Sequence, residues 1–318
     1  MEKDIGLQLK SAPASVDLRR NDGLFSFLTL IDLATIIYIA IVTVLILAFH
    51  QRVAQWHYFI LGNLTVVALL LYTLYRTRAT QSKVVQFLKE IYPLFLFTFM
   101  FKEIALVINL LFPFWLEKHL IHWDLVLFGD YPIRYLRRFA SPGVTEFMAF
   151  SYWSYYLIMP LGVLILCLRR NKAFLRSFVF NLSLTMYTCY LSYLFLTARG
   201  PRETLPFLLD ETGPFGFFYT MVLRIQAGAA ISGAAFPSSH VSAMWVVLIY
   251  MFRSHKGLGL LFMPLIVSLT FSTVYLNYHY AADAIAGALM VSVTYPLGLF
   301  IERKFNERRR LAGLPNLN

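Results

Sequence analysis

Apolar residues in this chain gather into long runs separated by short polar and basic stretches, rather than alternating with polar ones. Eight runs stand near 25–49, 57–75, 92–114, 145–168, 174–198, 238–252, 257–277 and 280–301, the sixth of them short. A helix needs about 20 apolar residues to cross a hydrocarbon layer roughly 30 Å thick. The pattern therefore predicts an all-α, polytopic membrane protein of about eight transmembrane helices. No repeat or low-complexity tract interrupts it. The expected organisation is an N-terminal segment over 1–24, two additional helices over 25–76, a six-helix core over 90–301 and a basic tail over 302–318.

Composition narrows the class. Of 318 residues, 58% are hydrophobic and only 14% charged, and the mean hydropathy is +0.63. A soluble domain carries roughly 25% charge, so a soluble enzyme and a disordered regulator are both excluded. Two cysteines, Cys167 and Cys189, lie in apolar runs and read as small buried thiols rather than as a disulfide framework. The first apolar run has no small-residue cleavage site, so an anchored helix is expected there, not a removed signal peptide.

The net charge of +11 would suggest nucleic acid in a soluble protein; here it follows orientation, and no nucleic-acid partner is expected. With the N-terminus in the cytosol and alternating spans, most of the 28 Lys and Arg fall on cytosolic segments, which places both termini there by the positive-inside rule. The larger segments outside the runs, 115–144 and 199–237, then lie on the opposite side.

Polar residues that a lipid-facing helix would not keep cluster in three places. Thr197-Ala198-Arg199-Gly200-Pro201-Arg202 presents two guanidiniums where a helix leaves the membrane, suited to phosphate oxygens or to interfacial anchoring. Pro237-Ser238-Ser239-His240 reads as a helix start, whose free N–H groups form an anion site. Ser272 and the Tyr275-to-Asp283 stretch close the set. His279 and Asp283 are four apart, which on a helix puts them on one face, with the carboxylate holding one imidazole nitrogen protonated and the other nitrogen open to attack. All three clusters fall at one membrane face. Lys102 and Glu103, within the third run, should face protein or water, shaping the site or pairing with another helix.

These residues carry a resemblance. Arg202, Pro237-Ser238-Ser239-His240 and Ser272…His279…Asp283 resemble the three signature motifs of the type 2 phosphatidic acid phosphatase superfamily, which includes the vanadium haloperoxidases. The family pattern is Lys, six residues, Arg-Pro; then Pro-Ser-Gly-His; then Ser-Arg, five residues, His, three residues, Asp. The resemblance implies a six-helix catalytic bundle with no metal and no cofactor. It implies His279 as the nucleophile that becomes phosphohistidine, Asp283 as its orienting group and His240 as the acid on the leaving alkoxide. Arg202, Arg199, Ser238, Ser239 and Ser272 are the expected phosphate-binding residues.

This sequence departs from that pattern at named positions. Thr273 stands where the third motif has Arg, Ser239 replaces Gly, Glu203 follows Arg202 instead of Pro, and Phe195 occupies the place of the first-motif Lys. Arg199, Lys102, Arg134, Arg137 and Arg138 are the candidate substitutes for the two missing cations. The same departures are similar to the inositol-phosphorylceramide synthase-like branch. Its first motif reads more like Pro-Thr-Ala-Pro-Pro-Arg, and Asp124-Leu-Val-Leu-Phe-Gly129-Asp-Tyr-Pro132 and Tyr152-Trp-Ser-Tyr-Tyr156 serve as further branch markers.

The expected substrate is an amphiphile, a phospholipid or polyprenyl-type phosphate, met at the outer leaflet on the periplasmic, extracellular or lumenal side. Water as acceptor makes the protein a lipid phosphatase, and a lipid alcohol makes it a phosphotransferase. A transporter or non-catalytic lipid-binding protein with a His/Asp proton relay is the reading of another class. It predicts two related halves, whereas the motif charges gather at one depth near the end of the chain.

Overall fold

The computed structural model describes residues 27–108, 112–209, 216–229 and 231–314; the expected N-terminal segment 1–24 lies outside the described residues. In order the helices are α1 (Leu30–Ala48), α2 (Trp56–Arg76), α3 (Lys83–Val107), α4 (Glu117–Phe128), α5 (Pro132–Arg137), α6 (Pro142–Trp153), α7 (Tyr155–Arg169), α8 (Lys172–Phe195), α9 (Pro201–Thr204), α10 (Phe217–Ala229), α11 (Ser239–Ser254), α12 (Lys256–Tyr275) and α13 (Ala281–Leu311). Among the described residues there is no β-strand, and extended backbone pairs at one isolated bridge, Ala198 with Ala234.

Each helix begins where the sequence supplies an oxygen for its free N–H groups. Thr29 and Asp32 form a capping box on α1, and the side chains of Ser82, Asn171 and Ser238 cap α3, α8 and α11. Between α6 and α7 the Ser154 hydroxyl bonds the Ser151 carbonyl at 2.6 Å, competing with the helical ladder, and the pair bends by 46°.

Six helices are long and apolar enough to cross a membrane: α1, α2, α3, α8, α12 and α13. The bent α6–α7 pair makes a seventh if taken as one span. The remaining apolar run becomes α11, at 16 residues too short to meet the same measure and buried along most of its length. The protein is an all-helical integral membrane protein.

Two features differ from the sequence expectation. Helix α3 starts at Lys83 and ends at Val107, so Lys102 and Glu103 sit in its last turns rather than mid-span. Glu103 meets no cation: its Oε1 accepts from Asn63 of α2 at 2.7 Å, while Lys102 donates to the Gly228 carbonyl of α10 at 3.0 Å. The second concerns α13, which continues through Arg308, Arg309 and Arg310 into the segment read as a tail.

Helix α8 is the centre of the bundle, packed against α1, α3, α7, α11 and α13. Apolar burial alone does not select partners inside lipid, so short polar contacts set the register. Thr185 bonds Thr294 at 2.8 Å between α8 and α13, and Thr35 bonds Tyr187 at 2.9 Å between α1 and α8. Helices α11 and α13 meet at Gly287, where a Cβ would lie 2.6 Å from the Ser238 carbonyl oxygen. That closeness lets the Ser242 hydroxyl bridge to the Gly287 carbonyl at 2.8 Å.

Candidate active site

Two stretches of extended backbone join at one end of the bundle. Ala198 N–H donates to the Gly233 carbonyl at 3.1 Å and Ala235 N–H to the Ala198 carbonyl at 3.0 Å, which brings the segment carrying Arg202 beside the segment leading to His240. Gly200 lies against the turn between α12 and α13, where a Cβ would stand 3.0 Å from the Tyr278 carbonyl. Arg202 reaches over the same turn, its Nε donating to the Leu276 carbonyl at 3.0 Å and its guanidinium 4.3 Å from the Tyr278 ring centre.

His279 stands in that turn, two residues before α13, and not on a helix with Asp283 as the spacing suggested. Asp283 is instead part of the α13 cap, its Oδ2 accepting from Tyr280 N–H at 3.0 Å. The same oxygen lies 3.3 Å from His279 Nδ1, but the closer partner of Nδ1 is the Ala235 carbonyl at 3.0 Å. A carbonyl only accepts, so Nδ1 carries the proton and Nε2 holds the free lone pair. Burial holds the His279 imidazole well below its ordinary range, at about 4, against the opposing pull of the Ala235 carbonyl.

His240 is the second residue of α11. Its ring centre is 5.8 Å from that of His279, and it stacks among Tyr152 at 5.3 Å and Tyr155 at 4.5 Å. The Tyr152 hydroxyl, which accepts from Gln226 at 2.6 Å, approaches His240 Nε2 at 3.5 Å. Among the described residues, His240 Nδ1 has no hydrogen-bond partner.

These groups line one cavity of about 400 Å³. Its polar end holds Arg202, Glu203, Gln226, Ser239, His240 and His279. Its other end is apolar and runs between helices, bounded by Leu94, Phe97 and Phe101 of α3, Met159 and Pro160 of α7, and Met186 and Tyr190 of α8. An amphiphile with an anionic head matches that division.

The other expected site residues lie elsewhere. Ser238 is buried and caps α11, its Oγ accepting from Val241 N–H at 3.4 Å. Ser272 is buried within α12 with its hydroxyl on the Leu269 carbonyl. Arg199 turns away from the cavity, its Nε donating to Glu117 at 3.0 Å and its guanidinium over Trp115. Arg134 pairs with Asp130, and Arg137 and Arg138 lie over the Tyr275 and Tyr135 rings; none of the three lines the cavity. Among the described residues no three His, Cys, Asp or Glu gather as metal ligands.

One positioning residue was visible in the sequence only as a branch marker. Asp124 of α4 accepts from Ala281 N–H at 3.0 Å and Ala282 N–H at 2.8 Å, and so caps the helix that begins just after His279. Burial raises its carboxyl, and the two N–H groups oppose the rise.

An all-helical membrane protein with two imidazoles and a guanidinium around an amphipathic cavity is the class these features define. A family profile described as the PAP2 superfamily matches residues 118–297, more than half of the chain, and the protein belongs to that superfamily. Its members are generally phosphatases or phosphotransferases, and this chain is an enzyme of that kind. No curated protein and no solved structure matches it.

Proposed function

We propose that the protein transfers the phosphoryl group of a phospholipid or polyprenyl-type phosphate through a phosphohistidine, at the outer leaflet, with both termini in the cytosol. The observation that carries this reading is the pair of imidazoles 5.8 Å apart at the polar end of a cavity whose other end is apolar.

His279 Nε2 attacks phosphorus with its lone pair while the bond from phosphorus to the ester oxygen breaks. The departing oxygen takes a proton from His240, whose imidazolium is favoured once an anionic phosphoester is bound. Arg202 and the first turn of α11 at Ser238 and Ser239 balance charge on the equatorial oxygens. In the second half His240 takes a proton from the acceptor hydroxyl, the acceptor oxygen bonds phosphorus, and the His279–phosphorus bond breaks. Asp283 holds the turn on which His279 sits.

The second reading assigns the acceptor to a lipid alcohol in place of water, as in the inositol-phosphorylceramide synthase-like branch. The aromatic enclosure of His240 by Tyr152 and Tyr155 favours it, because it shields the phosphohistidine from bulk water.

Purified protein incubated with a panel of lipid phosphates tests the proposal. His279→Ala is expected to reduce turnover to background, and His240→Ala to slow it by about 10²–10⁴-fold. Phosphate release supports hydrolysis, and product formed only with added lipid alcohol supports transfer. Turnover that survives both substitutions overturns the catalytic assignment.

A further inference from the structure

We propose that Glu203 forms a cation subsite beside the phosphate position and selects phosphodiester lipids whose head group carries an ammonium. The inference rests on the proposed chemistry at His279 and adds the substrate class.

Glu203 lines the same cavity as Arg202 and the two histidines. The two residues are adjacent on the short helix α9, and successive helical residues point about 100° apart. Arg202 accordingly turns onto Leu276 and Tyr278, whereas the Glu203 carboxylate reaches the other side and accepts from the Ser232 hydroxyl at 2.7 Å. Among the described residues no cation lies within ion-pair distance of it, since Arg199, which feels its charge, bonds Glu117. A Ser hydroxyl fills one of a carboxylate's several acceptor positions and leaves the rest for a ligand.

The charge on the cavity wall gives the proposal its direction. Arg202 and Glu203 are its formally charged lining residues, one of each sign. A phosphate monoester dianion would set two negative charges against one cation, with a carboxylate close by. A phosphodiester carries one negative charge, which Arg202 matches, and an ammonium on its head group matches Glu203. The cavity also supplies the tyrosine faces of Tyr152, Tyr155 and Tyr156, surfaces that attract an ammonium through the ring quadrupole.

The test uses the full chain in neutral detergent with three lipids of identical acyl chains: phosphatidylethanolamine, phosphatidylglycerol and phosphatidic acid. Lipid retained in competition is read by native mass spectrometry, which needs no turnover. Wild type is expected to retain the ethanolamine lipid about tenfold over each of the others, and Glu203→Gln, which keeps a Ser232 contact, to bring the ratios near one. Glu203→Asp should restore part of the preference. A preference for phosphatidic acid or phosphatidylglycerol in wild type, or a ratio unchanged in Glu203→Gln, overturns the subsite. Loss of turnover in His279→Ala with the retention ratios intact separates the two assignments, because that variant tests the chemistry and leaves the subsite in place.

Discussion

The two ends of α8 treat charge in opposite ways. At its start Glu90 of α3 is buried and closed on two sides, by Arg176 at 2.6 and 2.8 Å and by Lys172 at 3.2 Å. This end has more cations than the other, and they tie helices together. Beyond the far end of α8, imidazoles, one guanidinium and one carboxylate open into a cavity, each held by carbonyl oxygens, hydroxyls and rings. What separates a structural cluster from a reactive one in this protein is the identity of the partners, not the number of charges. A carboxylate closes an arginine, whereas a carbonyl or a ring orients a side chain and leaves its reactive atoms available.

The largest expected effect is on pH dependence. Because His279 stays neutral down to about 4, kcat/KM should not fall as pH drops through the ordinary histidine range near 6.5 and should decline only as it approaches 4. An acid limb near 6.5 would remove His279 from the nucleophile's role. Between those values the unfolded chain binds a proton at this residue that the folded chain does not, so stability should also diminish as pH falls.

At the opposite end Glu90→Gln should cost about 3 kcal/mol, read as a lower unfolding temperature in detergent, because Arg176 loses its buried counter-ion. Turnover of the folded fraction should be unchanged, and a change would end the contrast between the two regions. Gly287→Ala places a methyl against the Ser238 carbonyl and should cost roughly 1–3 kcal/mol. Since α11 carries His240 and α13 follows His279, this variant should also lower kcat more than Glu90→Gln does. The smallest effect is that of Asp124→Asn, which keeps an acceptor for one N–H and loses the charge at the α13 start. It should cost about 1 kcal/mol, with a few-fold loss of turnover.

Much of this was legible in the apolar runs, since burial in lipid demands long helices and leaves little else to choose. Helix ends were less so. The polar start of α3, Lys83 to Lys89, and the charged end of α13 extend helices through residues whose own propensity is helical but whose apolarity is low. The convergence of Arg202, His240 and His279 followed from motif order. Their partners did not: Ala235 meets His279, and Asp124 meets Ala281 and Ala282, across stretches of sequence that no local spacing connects. The i, i+4 spacing of His279 and Asp283 misled because a helix cap also places residues near one another, with the carboxylate directed at a main-chain N–H.

The Ala198–Ala234 bridge has one more consequence. The oxygen that fixes which ring nitrogen of His279 is protonated belongs to Ala235, whose own N–H is tied to Ala198. Tautomer choice is therefore written into the polypeptide backbone, where exchanging the side chain at 235 leaves the acceptor in place. Only a slip of one strand past the other would erase it.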